Sequence, residues 1–194
     1  MASPLTLIDI VDHRAYEAER AEFRSHIIAL KARRRVGVGP FVTLLFENRD
    51  TIRFQIQEMA RAERMMTEAA IETELDTYNP LLPSDGELSA TMFLELTSEP
   101  ALREWLPRLV GIERAVGLLL ADETWVPATV EAAHEAQLTR EEMTSCVHYI
   151  RFNVPVSHRD ALAAGASLCV RHDEYEHSTV LSVETIHELI GDLT

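Results

Sequence analysis

Cysteine is nearly missing from this sequence: Cys146 and Cys169 are the two it has, and they lie far apart. Neither belongs to a Cys-x-x-Cys pair, which excludes the thiol redox motif. Both sit in apolar, strand-like surroundings, where a thiol acts as a small buried hydrophobe. Glycine is sparse, with 7 residues, and Gly37-Val38-Gly39 precedes a strand instead of joining a strand to a helix. That placement excludes a phosphate-binding loop or a dinucleotide fingerprint. No Gly-x-Ser-x-Gly elbow is present, so an esterase-type nucleophile is not indicated. No apolar run approaches the roughly 18 residues of a membrane span. The first residues, MASPLTLIDIVDHR, carry no basic opening of the kind a secretory signal has, so a cytoplasmic protein without membrane contact is expected. Basic residues are in short supply, 18 against 32 acidic ones, for a formal net charge of −14. A general nucleic-acid binder needs a basic face, and none is available on that balance.

What the chain does have is core. Hydrophobic residues make up 46% of 194, enough for one sizeable domain. Residues 13–35 read as a long helix, with Tyr16, Phe23, Ile27 and Leu30 near helical spacing and Asp12 as N-cap. Gly37 to Pro40 reads as its terminator. Residues 41–46 form an apolar run expected as a buried strand. Glu47-Asn48-Arg49-Asp50 supplies turn and cap chemistry, and a helix over 51–66 follows, with Ile52, Ile56, Met59 and Met66 as its buried stripe. A second helical segment runs over 68–77. Residues 87–96 alternate with period two, as a strand does. Residues 100–114 read as helix interrupted by Pro107. Residues 115–121 and 124–130 read as a hairpin turning at Asp122-Glu123. Residues 131–142 read as a loop or short helix. Residues 145–154 and 166–171 read as strands flanking a short helix capped by Ser157. Residues 183–193 close the chain as a helix with Val183, Ile186, Leu189 and Ile190 inward. The organisation is a helical first half (13–78), a strand-rich second half (87–182) and a closing helix. It predicts a single α+β domain, with a mainly antiparallel sheet and helices packed on one face.

The candidate binding residues are cationic. Arg49, Arg53, Gln57 and Arg61 recur every four positions and form one row along the second helix. Guanidinium and amide donors in a row suit carboxylates, phosphates or an acidic partner. The same row also suits a solvated helix face laced with weak ion pairs. Arg33, Arg34 and Arg35, with Lys31, end the first helix. There they oppose the negative end of the helix dipole, and with Gly37 and Gly39 they could also cradle an anion.

Metal chemistry has two candidates. Glu131-Ala-Ala-His134 and Glu184-Thr-Ile-His187 share the Glu-x-x-His spacing of di-iron bundles, but the strands of the second half argue against a four-helix bundle. The tail 172–177, HDEYEH, would put His172, Glu174 and Glu176 on one face of a continuing strand, with Asp173 and His177 near enough to close a divalent metal site. The opposing reading is a polar strand end. Cys146 and His148 share a strand face, which would allow a thiolate pair, although no third residue orients the base.

The stretches VTLLFENRDTIRFQIQEMARAER, ELDTYNPLLP and TSCVHYIRF resemble an uncharacterised bacterial family, domain of unknown function 3501, across most of the chain. No catalytic residue comes with that resemblance. It implies a gene neighbourhood that includes rubrerythrin-like and iron–sulfur reductase-like proteins, and hence a redox or peroxide-stress setting. The expectation is a non-catalytic accessory or binding protein without a cofactor of its own, engaging an acidic partner or small anion through its arginines. The alternatives are a metal-dependent enzyme or sensor built on the tail and a purely structural subunit.

Overall fold

A computed structural model describes residues 3–65, 67–130 and 143–193. The Glu131–His134 motif, the loop or short helix read at 131–142, and Met66 lie outside the described residues. The elements run α1 (His13–Arg34), β1 (Arg35–Val38), β2 (Val42–Glu47), α2 (Arg49–Ala62), α3 (Glu68–Tyr78), β3 (Glu87–Leu94), α4 (Glu99–Arg108), β4 (Val116–Leu120), β5 (Trp125–Val130), β6 (Val147–Asn153), α5 (Val156–Ala164), β7 (Ala166–His172), β8 (Tyr175–Val180) and α6 (Val183–Leu193). Asp12 caps α1 by accepting from the amides of Arg14 and Ala15, as its sequence position predicts.

The strands form one sheet in the order β1-β2-β3-β6-β5-β4-β7-β8, with every neighbouring pair antiparallel. Its two ends meet through side chains. Thr179 on β8 donates to the Gly37 carbonyl at 2.8 Å, and the Tyr175 hydroxyl donates to the Val38 carbonyl at 2.6 Å. The sheet is therefore curled nearly into a barrel. Gly39 turns the β1–β2 hairpin with φ +71°, and a Cβ there would lie 2.5 Å from the Tyr175 hydroxyl and 2.6 Å from the His177 ring. Glycine at 39 is what lets the seam close.

Alternation along the strands sorts two cores. Val42, Leu44 and Phe46, with Leu88, Ala90, Met92, Ile150 and Phe152, point into the barrel, where they meet Leu118 and Leu168 from the far strands. The outer face of β2, β3 and β6 is covered by α2, α3 and the N-terminal segment, through Leu5, Ile10, Ile52, Ile56, Leu75 and Leu81. All six residues of β2 are consequently buried.

Several expectations need correction. The helices do not form one layer: α2 and α3 serve the outer core, while Leu189 and Leu193 of α6 and Leu162 of α5 join the barrel core. The Gly37–Pro40 stretch belongs to strand β1 and its hairpin, because Val36 and Val38 alternate into the core. A further strand, β8, occupies the polar tail, anchored by Tyr175. Val183, placed inward from sequence, is 79% exposed because it occupies the first position of α6, while Leu193 takes the inward place. Ser157 is not a cap, since α5 begins at Val156 after Pro155. Helix α4 ends at Arg108, and a separate 3-10 turn, Ile112–Arg114, follows Gly111.

Candidate functional site

The arginine row of α2 is turned towards the rest of its own chain. Arg49 donates to the Ser3 carbonyl (2.5 Å) and to Asp9 (2.6 Å). Arg53 donates to the Asp9 carbonyl at 2.8 Å, stands 4.9 Å from the Phe23 ring centre and faces Glu19. Gln57 is buried and exchanges two hydrogen bonds with the backbone of Val11. Arg61 pairs with Glu17 at 2.5 Å. Beside the row, Glu58 accepts from Arg20 and from the Tyr16 hydroxyl; the Arg20 bonds hold its carboxyl down at about 2, while burial pushes the Tyr16 phenol up. The row thus ties residues 3–11 and α1 onto α2.

The basic cluster divides. Arg34 is fully buried: it donates to the carbonyls of Phe46 (2.9 Å) and Glu47 (3.2 Å) and pairs with Asp192 and Glu188 of α6. Arg33 pairs with Glu188 at 2.7 Å. Arg35 is different. It lies on the outer face of β1, 5.4 Å from the Phe93 ring centre, and pairs with Glu95 at 3.0 Å while both side chains stay about half exposed. Lys31 packs 5.5 Å from the Phe54 ring centre and makes no ion pair among the described residues.

Arg35 and Lys31 edge a cavity of about 250 Å³ between the outer sheet face and α1, α2 and α3. The strand register builds its floor. Arg35, Leu45, Thr91 and Tyr149 are successive cross-strand partners on β1, β2, β3 and β6, and all four line the space. Glu47 lines it too, at the end of β2. Its carboxylate is buried; Thr91 donates to one oxygen at 2.6 Å and Thr51 to the other at 2.5 Å. Thr51 is held in place by the cap of α2, where the Asn48 side chain accepts from its amide (3.0 Å) and its hydroxyl accepts from the Asn48 amide (2.9 Å). No ion pair to Glu47 forms among the described residues. Burial, reinforced by Tyr78 and Glu47, pushes the Tyr149 phenol up. Ile52, Leu81 and Phe93 complete apolar walls. The arrangement can hold a small molecule with an apolar body, offering cations at one place and an acceptor at another.

Of the predicted binding residues, then, Arg35 lines this cavity, together with Lys31 of the same basic cluster. Glu47, read from sequence as turn and cap chemistry, is the polar group that the reading missed. A carboxylate directly after a buried apolar run was the available signal.

The tail does not continue as one strand. The chain reverses at Asp173-Glu174, which leaves His172 on β7 and Glu176 and His177 on β8. His172 contacts the Val110 carbonyl and accepts from the Glu174 amide. Glu174 pairs with Arg108, Glu176 stands opposite Arg171, and His177 packs on Tyr175. The shared face of His172, Glu174 and Glu176 therefore does not arise. Among the described residues no group of three His, Cys, Asp or Glu side chains is arranged to hold a metal. His187 and Glu184 lie on α6. Both cysteines are free thiols, pushed up by burial, and the Nε2 of His148 turns to Thr144 and the Ser145 carbonyl.

Among the described residues no helix is long and apolar enough to cross a membrane. A family model described as "Protein of unknown function (DUF3501)" matches residues 4–193. No curated protein matches the chain. A crystal structure of a novel protein of unknown function from Burkholderia pseudomallei is 36% identical, covers 99% of this chain and 100% of its own, and superposes with a TM-score of 0.88.

Proposed function

We propose, for a chain that belongs to the DUF3501 family, that it is a binding protein that takes a small anionic molecule into the cavity beneath α1 and α2. The observation that carries this reading is the placing of Lys31 and Arg35 at the edge of a partly enclosed, partly apolar space of about 250 Å³. A volume of that size holds about eight waters at about 30 Å³ each, so a metabolite-sized ligand fits and a macromolecular segment does not. The pair that Arg35 forms with Glu95 is half exposed, and such pairs are worth about 0–1 kcal/mol, so an incoming carboxylate or phosphate can take the guanidinium over. The arginine row on α2 contributes indirectly, by fixing the helix that roofs the cavity. A non-catalytic, accessory role beside rubrerythrin-like and iron–sulfur reductase-like proteins agrees with the gene neighbourhood implied by the family resemblance. In that setting the bound anion would be the signal or cargo.

Calorimetric titration of the full chain with phosphate, succinate and 4-methylpentanoate tests the reading. At least one anion should bind at millimolar concentration or below, and Lys31→Ala with Arg35→Ala should abolish it while circular dichroism stays unchanged. If none binds, the cavity is only a packing gap.

A further inference from the structure

We infer that the ligand of this cavity is zwitterionic, a free amino acid, with Glu47 receiving its ammonium group; this rests on the anion-binding reading above. A carboxylate has room for about four hydrogen bonds. The Thr91 and Thr51 hydroxyls supply two, one to each oxygen, which leaves acceptor capacity on both. Glu47 is only 7% exposed, so bulk water does not readily fill that capacity. A buried carboxylate ordinarily has a cationic partner. Here the guanidinium of Arg34, which reaches the Glu47 main chain, gives its hydrogen bonds to the Phe46 and Glu47 carbonyls and to α6. The start of α2, one residue on, offers a favourable dipole but not a full charge. The open side of Glu47 is the cavity itself, whose other charged lining residues are Lys31 and Arg35. A ligand with a carboxylate for the cations and an ammonium for Glu47 satisfies both ends at once. Its apolar part would meet Leu45, Ile52, Leu81 and Phe93. A plain anion satisfies one end and leaves Glu47 facing either apolar atoms or like charge. A plain amine has the converse defect.

The test uses three matched probes on the full chain: leucine, 4-methylpentanoate (the same skeleton without the amine) and 3-methylbutylamine (without the carboxylate). γ-Aminobutyrate is added to vary the distance between the charges. Leucine or γ-aminobutyrate should bind at least tenfold tighter than 4-methylpentanoate, and 3-methylbutylamine should bind weakest. Glu47→Gln, which keeps the shape, should bring the amino acid down to the affinity that the same variant has for 4-methylpentanoate. Circular dichroism should show that the variant remains folded. Binding of 4-methylpentanoate as tight as that of both amino acids would overturn the zwitterion while sparing the anion site. Failure of all the anionic and zwitterionic probes would overturn both. Amino-acid affinity unaffected by Glu47→Gln would remove Glu47 from the site.

Discussion

Thr91, in the middle of β3, donates its hydroxyl to the carboxylate of Glu47 at the end of β2, at 2.6 Å. The bond joins two strands through their outer-face side chains, 44 residues apart in sequence, and sets the position of a buried charge. Thr91→Val keeps the shape and removes the donor. A hydrogen bond to a charged group is worth about 1.5–3 kcal/mol, so urea denaturation should show a loss in that range. A loss below roughly 0.5 kcal/mol would mean that Glu47 is hydrated in solution.

Arg34 should behave unlike its neighbours. Arg34→Met leaves Asp192 in a buried site without its guanidinium, while Glu188 keeps only Arg33, and burial already pushes the Asp192 carboxyl up against the opposing pull of Arg34. Breaking a buried pair by removing one partner costs about 3–5 kcal/mol. Arg33→Ala breaks a more exposed pair with Glu188 and should cost about 1 kcal/mol or less. Equal losses in chemical denaturation would show that Arg34 is not the anchor joining α1 to α6.

How much of this was legible from sequence differs by element. Helix α1 carried its cap, Asp12, helix α2 carried cap chemistry within Glu47–Asp50 that the structure assigns to Asn48, and the β4–β5 hairpin carried its turn. These are local signals. Strand β1 was hidden because Gly37, Gly39 and Pro40 are chain breakers by composition; only the approach of Tyr175 and His177 explains why glycine must stand at 39. Strand β8 was hidden because five of its six residues are polar or solvent-accessible and Tyr175 alone is buried. Which arginine of Arg33-Arg34-Arg35 goes inside is decided by Asp192, 158 residues on, and no local pattern reports that. The cavity has the same origin, since its floor is a row of residues from four strands.

The α2 row is expected to act on the N-terminal segment more than on global folding. Arg49→Ala with Arg53→Ala removes the donors to Ser3 and Asp9. Hydrogen exchange should rise over residues 3–11, while the global stability falls by about 1–2 kcal/mol, as for a few part-exposed pairs. If exchange over 3–11 stays unchanged, the apolar contacts of Leu5 and Ile10 hold the segment without the arginines.

Leu44 lies wholly inside the barrel between Val36 and Met92 on the neighbouring strands. Leu44→Ala should cost about 2–5 kcal/mol through lost burial and an unfilled cavity. A chemical-denaturation loss of about 1 kcal/mol or less would indicate that the curled sheet collapses onto the gap.

The last expectation concerns pH. His148 is almost fully buried, and its Nε2 approaches the Ser145 carbonyl at 2.9 Å. A carbonyl only accepts, so Nε2 carries the proton and Nδ1 is bare in the neutral ring. Nδ1 lies 4.0 Å from the Oε2 of Glu113, which has no hydrogen-bond partner among the described residues. Protonating the ring would give Glu113 a counter-charge, but burial outweighs that attraction and the imidazole is held below its ordinary value of 6.5. The unfolded chain therefore binds the proton more readily than the folded one between the ordinary value and the lowered one. By linkage the contribution is complete above about pH 6.5 and is lost as the pH falls through the folded value. Denaturation midpoints measured from pH 7.5 down to 5 should decline, in a range where ordinary carboxylates at about 4 do not yet titrate. His148→Gln should flatten that slope, whatever its effect on stability at neutral pH. A wild-type slope that persists in the variant would assign the decline to another group and place the His148 ring in contact with water.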